Sequence, residues 1–273
     1  MTLHLPDPQT IADILRQTGE AIVLPRFRAL AAHEVIEKKP GDVVTVADIE
    51  AEAALERALP LILPGSIVIG EEAHHRDPSI LAHLDGEEAV WIVDPIDGTA
   101  NFTEGSQVFC MMLVLSYRGE AVMSWIHDPL SGTTAMAEKG AGAERAGTRL
   151  KVPDAPPIRD MVGQINLGFY PKEERGRIRA QISSRIKALQ ALRCAGHDFL
   201  GMAEGKHHFS VYRRLWTWDH APGVLILREA GGVAERMDGQ DYRLADRVEG
   251  LLSAPDPDSW AHLKEMFLAP TAA

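Results

Sequence analysis

Apolar positions near the N-terminus recur at helical spacing: Ile11, Ile14, Leu15, Ala21 and Ile22, then Leu30, Ala31 and Val35. That period lines one face of a helix, so the first forty residues read as helical, kinked or split at Pro25. Lys39-Pro40-Gly41-Asp42 reads as a turn and Val43-Val44-Thr45-Val46 as a short extended piece. A second helix is expected from Asp48 to Leu59, with Pro60 and Pro64 bounding the segment after it. The pattern then changes to short apolar runs, the signature of buried strands. Ile67-Val68-Ile69 ends at Gly70, and Val90-Trp91-Ile92-Val93 ends at Asp94. Phe109 to Tyr117 and Ala121 to His127 predict a hairpin turning at Arg118-Gly119-Glu120, and Ala135 to Glu138 one more strand. Helices are expected over Arg177 to Leu192, Phe199 to Glu204 and His220 to Ala230, the last stopped by Gly231-Gly232. Small residues cluster from Gly140 to Gly147, which marks a boundary between two subdomains, 1–146 and 147–273.

A chain of 273 residues, 45% hydrophobic and 25% charged, can bury a substantial core, and nothing in it suggests disorder. The net charge of −11 argues against a nucleic-acid or anionic-membrane surface, both of which need clustered Lys and Arg. A protein of this sign that handles a phosphate must supply cations locally, and bound metal is a direct route. No apolar stretch approaches the ~20 residues that span a bilayer. The first ten residues lack the basic and apolar regions of a signal peptide, so a cytoplasmic address is expected. The two cysteines, Cys110 and Cys194, form neither a disulfide framework nor a zinc spacing. Cys110 lies in the apolar run Phe109 to Leu115 and reads as a small buried hydrophobe.

The chemistry concentrates in Asp94-Pro95-Ile96-Asp97-Gly98-Thr99. Two carboxylates three residues apart can converge on one side of a turn, with Pro95 restricting the backbone between them. Gly98 can take a positive φ, Thr99 offers a hydroxyl, and the amides from Gly98 onward suit a phosphate. The plain alternative is a surface Asx turn with a capping threonine. Gly70-Glu71-Glu72 comes directly after a strand, whereas its copy Gly86-Glu87-Glu88 reads as a solvated loop. Asp219, in Trp216-Thr217-Trp218-Asp219-His220-Ala221, stands where an apolar helix starts, a place that also suits an N-cap. Glu71, Asp94, Asp97 and Asp219 together make a hard-oxygen set appropriate to Mg²⁺ and not to zinc. His74-His75 and His207-His208 lack supporting ligand spacings and read as loop histidines.

These elements, with Asn101-Phe102, Trp218-Asp219, Ala230-Gly231-Gly232 and the segment Asp42-Val43-Val44-Thr45-Val46-Ala47-Asp48, resemble the inositol monophosphatase family in order and spacing over nearly the whole chain. That family belongs to the Mg²⁺-dependent, lithium-sensitive phosphomonoesterases. The resemblance implies an α/β (α+β) fold, a layered α-β-α-β-α sandwich with the active site between two halves, in a homodimer. It implies Glu71, Asp94 and the Ile96 carbonyl at one Mg²⁺, and Asp94, Asp97 and Asp219 at a second, with a weaker third near Glu71. Thr99 and Asp48 would orient the attacking water with Glu71 nearby, and Asp97, Gly98 and Thr99 would meet the phosphate. The chemistry agrees from below. A phosphate monoester dianion repels hydroxide, so hydrolysis needs charge neutralisation and in-line positioning. No serine or cysteine beside a base offers itself as a rival nucleophile.

Two stretches depart from the family pattern. Where relatives that cleave inositol phosphates carry a Gly-Ser/Thr-Ala-Ala run after an arginine, this chain has Arg193-Cys194-Ala195-Gly196-His197-Asp198. Where they place a glutamate ahead of the last metal aspartate, it has Val211-Tyr212-Arg213-Arg214. Gly196, His197, Asp198 and Arg213 thereby become candidate substrate residues. Arg213 and Arg214 either lie on a solvated loop or favour a second anionic group. The lysine that relatives carry upstream of the Asp-x-Val-Thr element falls by count on Glu37, with Lys38 and Lys39 beside it. The leading substrate is inositol monophosphate or a similar polyol phosphate. The alternatives are 3′-phosphoadenosine 5′-phosphate, fructose 1,6-bisphosphate or histidinol phosphate, or a silent protein that binds phosphorylated metabolites.

Overall fold

The computed structural model describes residues 4–39, 42–182, 184–246 and 250–268, so the turn expected at Pro40-Gly41 lies outside the described residues. Helix α1 (Pro8–Thr18) is capped by the Asp7 carboxylate, which accepts from the Thr10 amide, and opens on a proline whose missing donor costs nothing there. It continues through a π turn at Gly19–Val23 and a 3-10 turn at Leu24–Arg26 that contains Pro25. The helical reading fails beyond this point. Val35–Lys39 is strand β1, paired antiparallel with β2 (Asp42–Thr45), because β-branched Val35 and Ile36 find Thr45 and Val44 opposite them. Helix α2 (Val46–Ile62) starts on a reciprocal cap. Thr45 Oγ1 accepts from the Ala47 and Asp48 amides, and Asp48 Oδ2 accepts from the Thr45 amide and hydroxyl. The helix runs past its expected end at Leu59 with Pro60 inside it; in the last turn that proline removes a single backbone donor.

Strand β3 (Ile67–Gly70) leads into α3 (Glu71–Arg76), and β4 (Ala89–Asp97) into α4 (Thr99–Thr103). The meander β5 (Cys110–Tyr117), β6 (Glu120–Asp128), β7 (Thr133–Glu138), β8 (Gly142–Arg145) and β9 (Thr148–Arg149) completes a seven-stranded sheet in sequence order. β3 pairs parallel to β4 and the other pairs are antiparallel. The uninterrupted apolar runs are explained by cover on both faces. Trp91, Val93, Met111, Leu113 and Trp125 pack with Ile11, Leu15, Leu55 and Leu59 of α1 and α2. The alternate residues Val90, Ile92, Met112, Val114 and Ile126 face the other way.

The remaining elements are β10 (Val162–Ile165), α5 (Lys172–Ile182), β11 (Ala188–Gln190), α6 (Ala195–Ala203), β12 (Phe209–Tyr212), α7 (Thr217–Glu229), β13 (Val233–Arg236), β14 (Leu251–Ala254) and α8 (Pro257–Leu268). Five strands form a second sheet in the order β11-β10-β12-β14-β13. The helix expected over Arg177 to Leu192 is thus two elements. Ile178, Ile182 and Ile186 do share a core, as their spacing asks, but Ala188–Gln190 pairs parallel to β10 as an edge strand. α6 and α7 form the middle layer, their Phe199, Leu200, Val224 and Ile226 packed against Val90, Ile92 and Val114 of the first sheet. The outer face of the second sheet, with Phe209, Val211 and Leu252, packs on Ile178 and Ile182 of α5 and Trp260, Leu263 and Phe267 of α8. The described residues therefore build helix, sheet, helix, sheet and helix layers, the sandwich expected from the resemblance. One core runs across residue 147, from β4 to α7.

Candidate active site

The carboxylates meet where three elements end or begin. In the parallel β3–β4 pair Gly70 stands opposite Val93, so Glu71 and Asp94 emerge side by side. Asp94 to Asp97 is not the free turn expected from sequence; it stays paired with β5. Asp94 faces Met112 and Asp97 faces Cys110, so three steps on β4 match two on β5. In a regular strand residues three apart point to opposite faces; a one-residue bulge turns them to the same side. Gly98 then takes φ +87° as N-cap of α4, and a Cβ there would lie 2.9 Å from the Val108 carbonyl oxygen. Asp219 enters from α7 as the third residue of its first turn, Trp216 holding the N-cap position that sequence offered to the aspartate.

The electrostatics record this convergence. Asp94 is buried, and its carboxyl is pushed well above the usual carboxylate range by burial first, then by the charges of Glu71, Asp97 and Asp219. Asp97 is raised by burial although the Gly196 amide donates to its Oδ2 at 2.7 Å and the Cys194 thiol at 3.1 Å. Asp48 is buried and pushed up to about 7 by burial, with Glu71 and Glu72 adding to it. Its two oxygens divide their work: Oδ2 serves the Thr45 cap, and Oδ1 accepts from Thr99 Oγ1 at 3.2 Å. Thr99 Oγ1 also lies 2.9 Å from the Ile96 carbonyl, so one hydroxyl proton has two acceptors.

Three residues support the cluster in ways the sequence did not assign to them, although Lys38 and Asn101 were already noted there. Lys38, one place from the counted position of Glu37, donates to Glu71 Oε1 and Glu72 Oε1, each at 2.9 Å. The β1–β2 register shifts between Glu37 and Lys39, so counting residues misplaces this lysine. Burial works against its charge, but Glu71 and Glu72 outweigh that and hold its pKa above the usual lysine value. Glu52, one helical turn beyond Asp48, accepts from the Glu72 and Ala73 amides at 2.8 and 2.7 Å and fixes the start of α3. A Cβ on Gly70 would stand 2.2 Å from that carboxylate, which gives the glycine of Gly70-Glu71-Glu72 its reason. Two acids four apart on a helix face that packs inward were the available signal. Asn101 Nδ2 donates to the Val108 and Leu192 carbonyls, each at 2.8 Å, and ties α4 to the segment that enters α6.

The candidate substrate residues scatter around this cluster. Gly196 touches Asp97 through its amide. His197 sets Nε2 3.1 Å from the Phe109 carbonyl, and buried Asp198 accepts from the Tyr212 hydroxyl at 3.1 Å. Arg213 donates to Glu174 at 2.9 Å and lies over the Tyr170 ring, while Arg214 is exposed and lies over Phe169. His74 packs on the stacked rings of Trp216 and Trp218 beside Asp219; His207 bonds the Asp198 carbonyl and His208 the Val162 amide. A cluster of hard, mutually repelling oxygens offset by one ammonium suits a hard divalent cation, so the residues present fit Mg²⁺.

The inositol monophosphatase family profile matches residues 8–270. An inositol-1-monophosphatase of Caulobacter vibrioides is 30% identical over 229 residues, covering 82% of this chain and 86% of that protein. A fructose-1,6-bisphosphatase/inositol-1-monophosphatase of Thermotoga maritima is 28% identical, with 84% of each chain covered. Among solved structures, the Thermotoga maritima IMPase shares the fold with a TM-score of 0.81 at 23% identity, over 95% of both chains. The chain belongs to the inositol monophosphatase family, and with it to the phosphoric monoester hydrolases.

Proposed function

We propose that the chain hydrolyses the monoester of a small polyol phosphate, inositol monophosphate or a close analogue, with Mg²⁺ as cofactor. The observation that carries this reading is the convergence of Glu71, Asp94, Asp97 and Asp219 beside the Asp48–Thr99 pair. Glu71, Asp94 and the Ile96 carbonyl would hold one Mg²⁺, and Asp94, Asp97 and Asp219 a second, so both 1–146 and 147–273 would contribute ligands. Bound there, magnesium neutralises the phosphate and lowers the pKa of a water it polarises. Thr99 Oγ1 has Asp48 Oδ1 and the Ile96 carbonyl as acceptors; with the carbonyl committed as a ligand, its proton would go to Asp48 and its lone pairs would be free to accept from the attacking water. Amides at Gly98 and Thr99, where α4 begins, receive the phosphate oxygens. Arg213 is already neutralised by Glu174, which favours a monophosphate over a bisphosphate.

The test is phosphate release from a panel of polyol mono- and bisphosphates, with and without Mg²⁺. Monophosphates should turn over best, chelator should abolish the reaction, and Li⁺ should inhibit by taking one Mg²⁺ position. Undiminished turnover in excess chelator would falsify the metal mechanism. Proton linkage gives an independent check. Burial and the neighbouring carboxylates hold the Asp94 carboxyl above the usual range, so Mg²⁺ must displace its proton on binding. That displacement fixes the sign: apparent Mg²⁺ affinity rises with pH as Asp94 loses its proton and levels off once it is ionised. Calorimetric titration on the rising part of that profile, in two buffers of different ionisation enthalpy, should show proton release; equal heats in both buffers would contradict the raised carboxyl.

A further inference from the structure

Cys110 and Cys194 stand 84 residues apart in the chain, yet their sulfurs are 3.8 Å apart, and both lie against one oxygen of Asp97. We propose that Cys110, Cys194 and His197, with Asp97 Oδ2 as fourth ligand, form a site for a thiophilic divalent cation, zinc in the first instance. The geometry is that of a tetrahedral edge. With metal–sulfur bonds of about 2.3 Å, neighbouring sulfurs of a tetrahedral site fall about 3.8 Å apart, the separation found. With a metal–oxygen bond of about 2.0–2.2 Å, the sulfur–oxygen edge is roughly 3.5 Å. Asp97 Oδ2 is 3.1 Å from Cys194 Sγ and 3.7 Å from Cys110 Sγ. A ring nitrogen of His197 lies within 4.8 Å of both sulfurs, so modest side-chain rotation completes the set.

Packing alone does not explain the pair. Two small hydrophobes would need no carboxylate, whereas both thiols here are turned onto Asp97. Gly196 makes room for them, since a Cβ at that position would lie 2.3 Å from Cys110 Sγ. The sulfurs are buried, but half-buried His197 borders a cavity of about 290 Å³, a polar approach in which Asp128 and Glu204 are paired with Arg145 and Lys206. Binding releases two thiol protons to solvent. Two thiolates, one carboxylate and a neutral imidazole then leave the ion with a net charge of about −1, as in other closed thiolate sites. Soft sulfur ligands separate this site from the hard-oxygen cluster: Mg²⁺ has no preference for it. Asp97 is common to both, so an ion here withdraws a ligand from the magnesium cluster. This coupling, unlike the site itself, rests on the role proposed above for Asp97.

The test uses Co²⁺ as spectroscopic probe, with the full chain kept reduced by a phosphine. The chain contains two cysteines, so any thiolate-to-cobalt charge-transfer band must come from them. A band that saturates at one equivalent, with the intense visible bands of tetrahedral cobalt, is expected, and Zn²⁺ should bleach it. Cys194→Ser should roughly halve the charge-transfer intensity and the double Cys→Ala variant abolish it, circular dichroism confirming that each is folded. Absence of the band from folded wild type at saturating Co²⁺ overturns the site, whatever the variants do. Excess Mg²⁺ should weaken cobalt binding by competing for Asp97. A band indifferent to Mg²⁺ keeps the sulfur site and rejects the shared role of Asp97.

Discussion

Replacing Asp94 by asparagine should lower kcat by at least ~10³-fold, about 4 kcal/mol of barrier, while the metal-free protein stays folded. The substitution is nearly isosteric and keeps what the fold uses. Asp94 Oδ1 accepts from the Ile96 amide at 3.1 Å, and an asparagine carbonyl can take that bond. What it removes is the charge that two Mg²⁺ positions would share. In metal-free protein that charge is a burden, because Asp94 is buried beside Glu71, Asp97 and Asp219. The variant's metal-free melting temperature should therefore equal or exceed wild type, while the Mg²⁺-induced rise in melting temperature shrinks. Steady-state kinetics and thermal melts with and without Mg²⁺ separate the two effects. Near-normal turnover would mean that the cluster is misassigned. Loss of the fold would mean that Asp94 is a structural residue.

Legibility tracked locality. The layering came from the family resemblance, whereas the strands themselves were readable because cover on both faces of the sheet leaves uninterrupted apolar runs such as Val90 to Val93 and Phe109 to Leu115. The carboxylates proposed as ligands stand out in the sequence because each lies at the end of such a run or the start of a helix. What failed depended on pairing. Val35 and Ile36 continue a helical spacing, and only their partners on β2 make them a strand. Ala188–Gln190 extends the period of Ile178 and Ile182, but its hydrogen bonds go to β10. The bulge that aims Asp94 and Asp97 the same way is a property of β4 and β5 together. Lys38 was missed by one place because a register shift between Glu37 and Lys39 moves the ammonium onto Glu71. No single-chain period carries these facts; they are decided across the ladder.

Thr99 carries the second large effect. Its hydroxyl is the group that links the carboxylate turn to Asp48, at 3.2 Å, and to the Ile96 carbonyl, at 2.9 Å. If it positions and deprotonates the attacking water through Asp48, Thr99→Ala should cut kcat by about 10²–10⁴-fold, the usual span for a positioned acid–base group. KM should change little, because the phosphate contacts proposed at this point come from backbone amides. Thr99→Ser keeps the oxygen and drops a methyl, so it should recover most of the rate. The pair of variants matters because Thr99 is also the first residue of the short helix α4. A purely structural role would lower stability in the alanine variant, leave kcat of the folded fraction near wild type, and show as a lower melting temperature with unchanged turnover per active site. A serine variant as slow as alanine would shift the role to the methyl group and away from the hydroxyl. The expected order, wild type near serine and both far above alanine at equal stability, ties the rate to the oxygen that Asp48 holds.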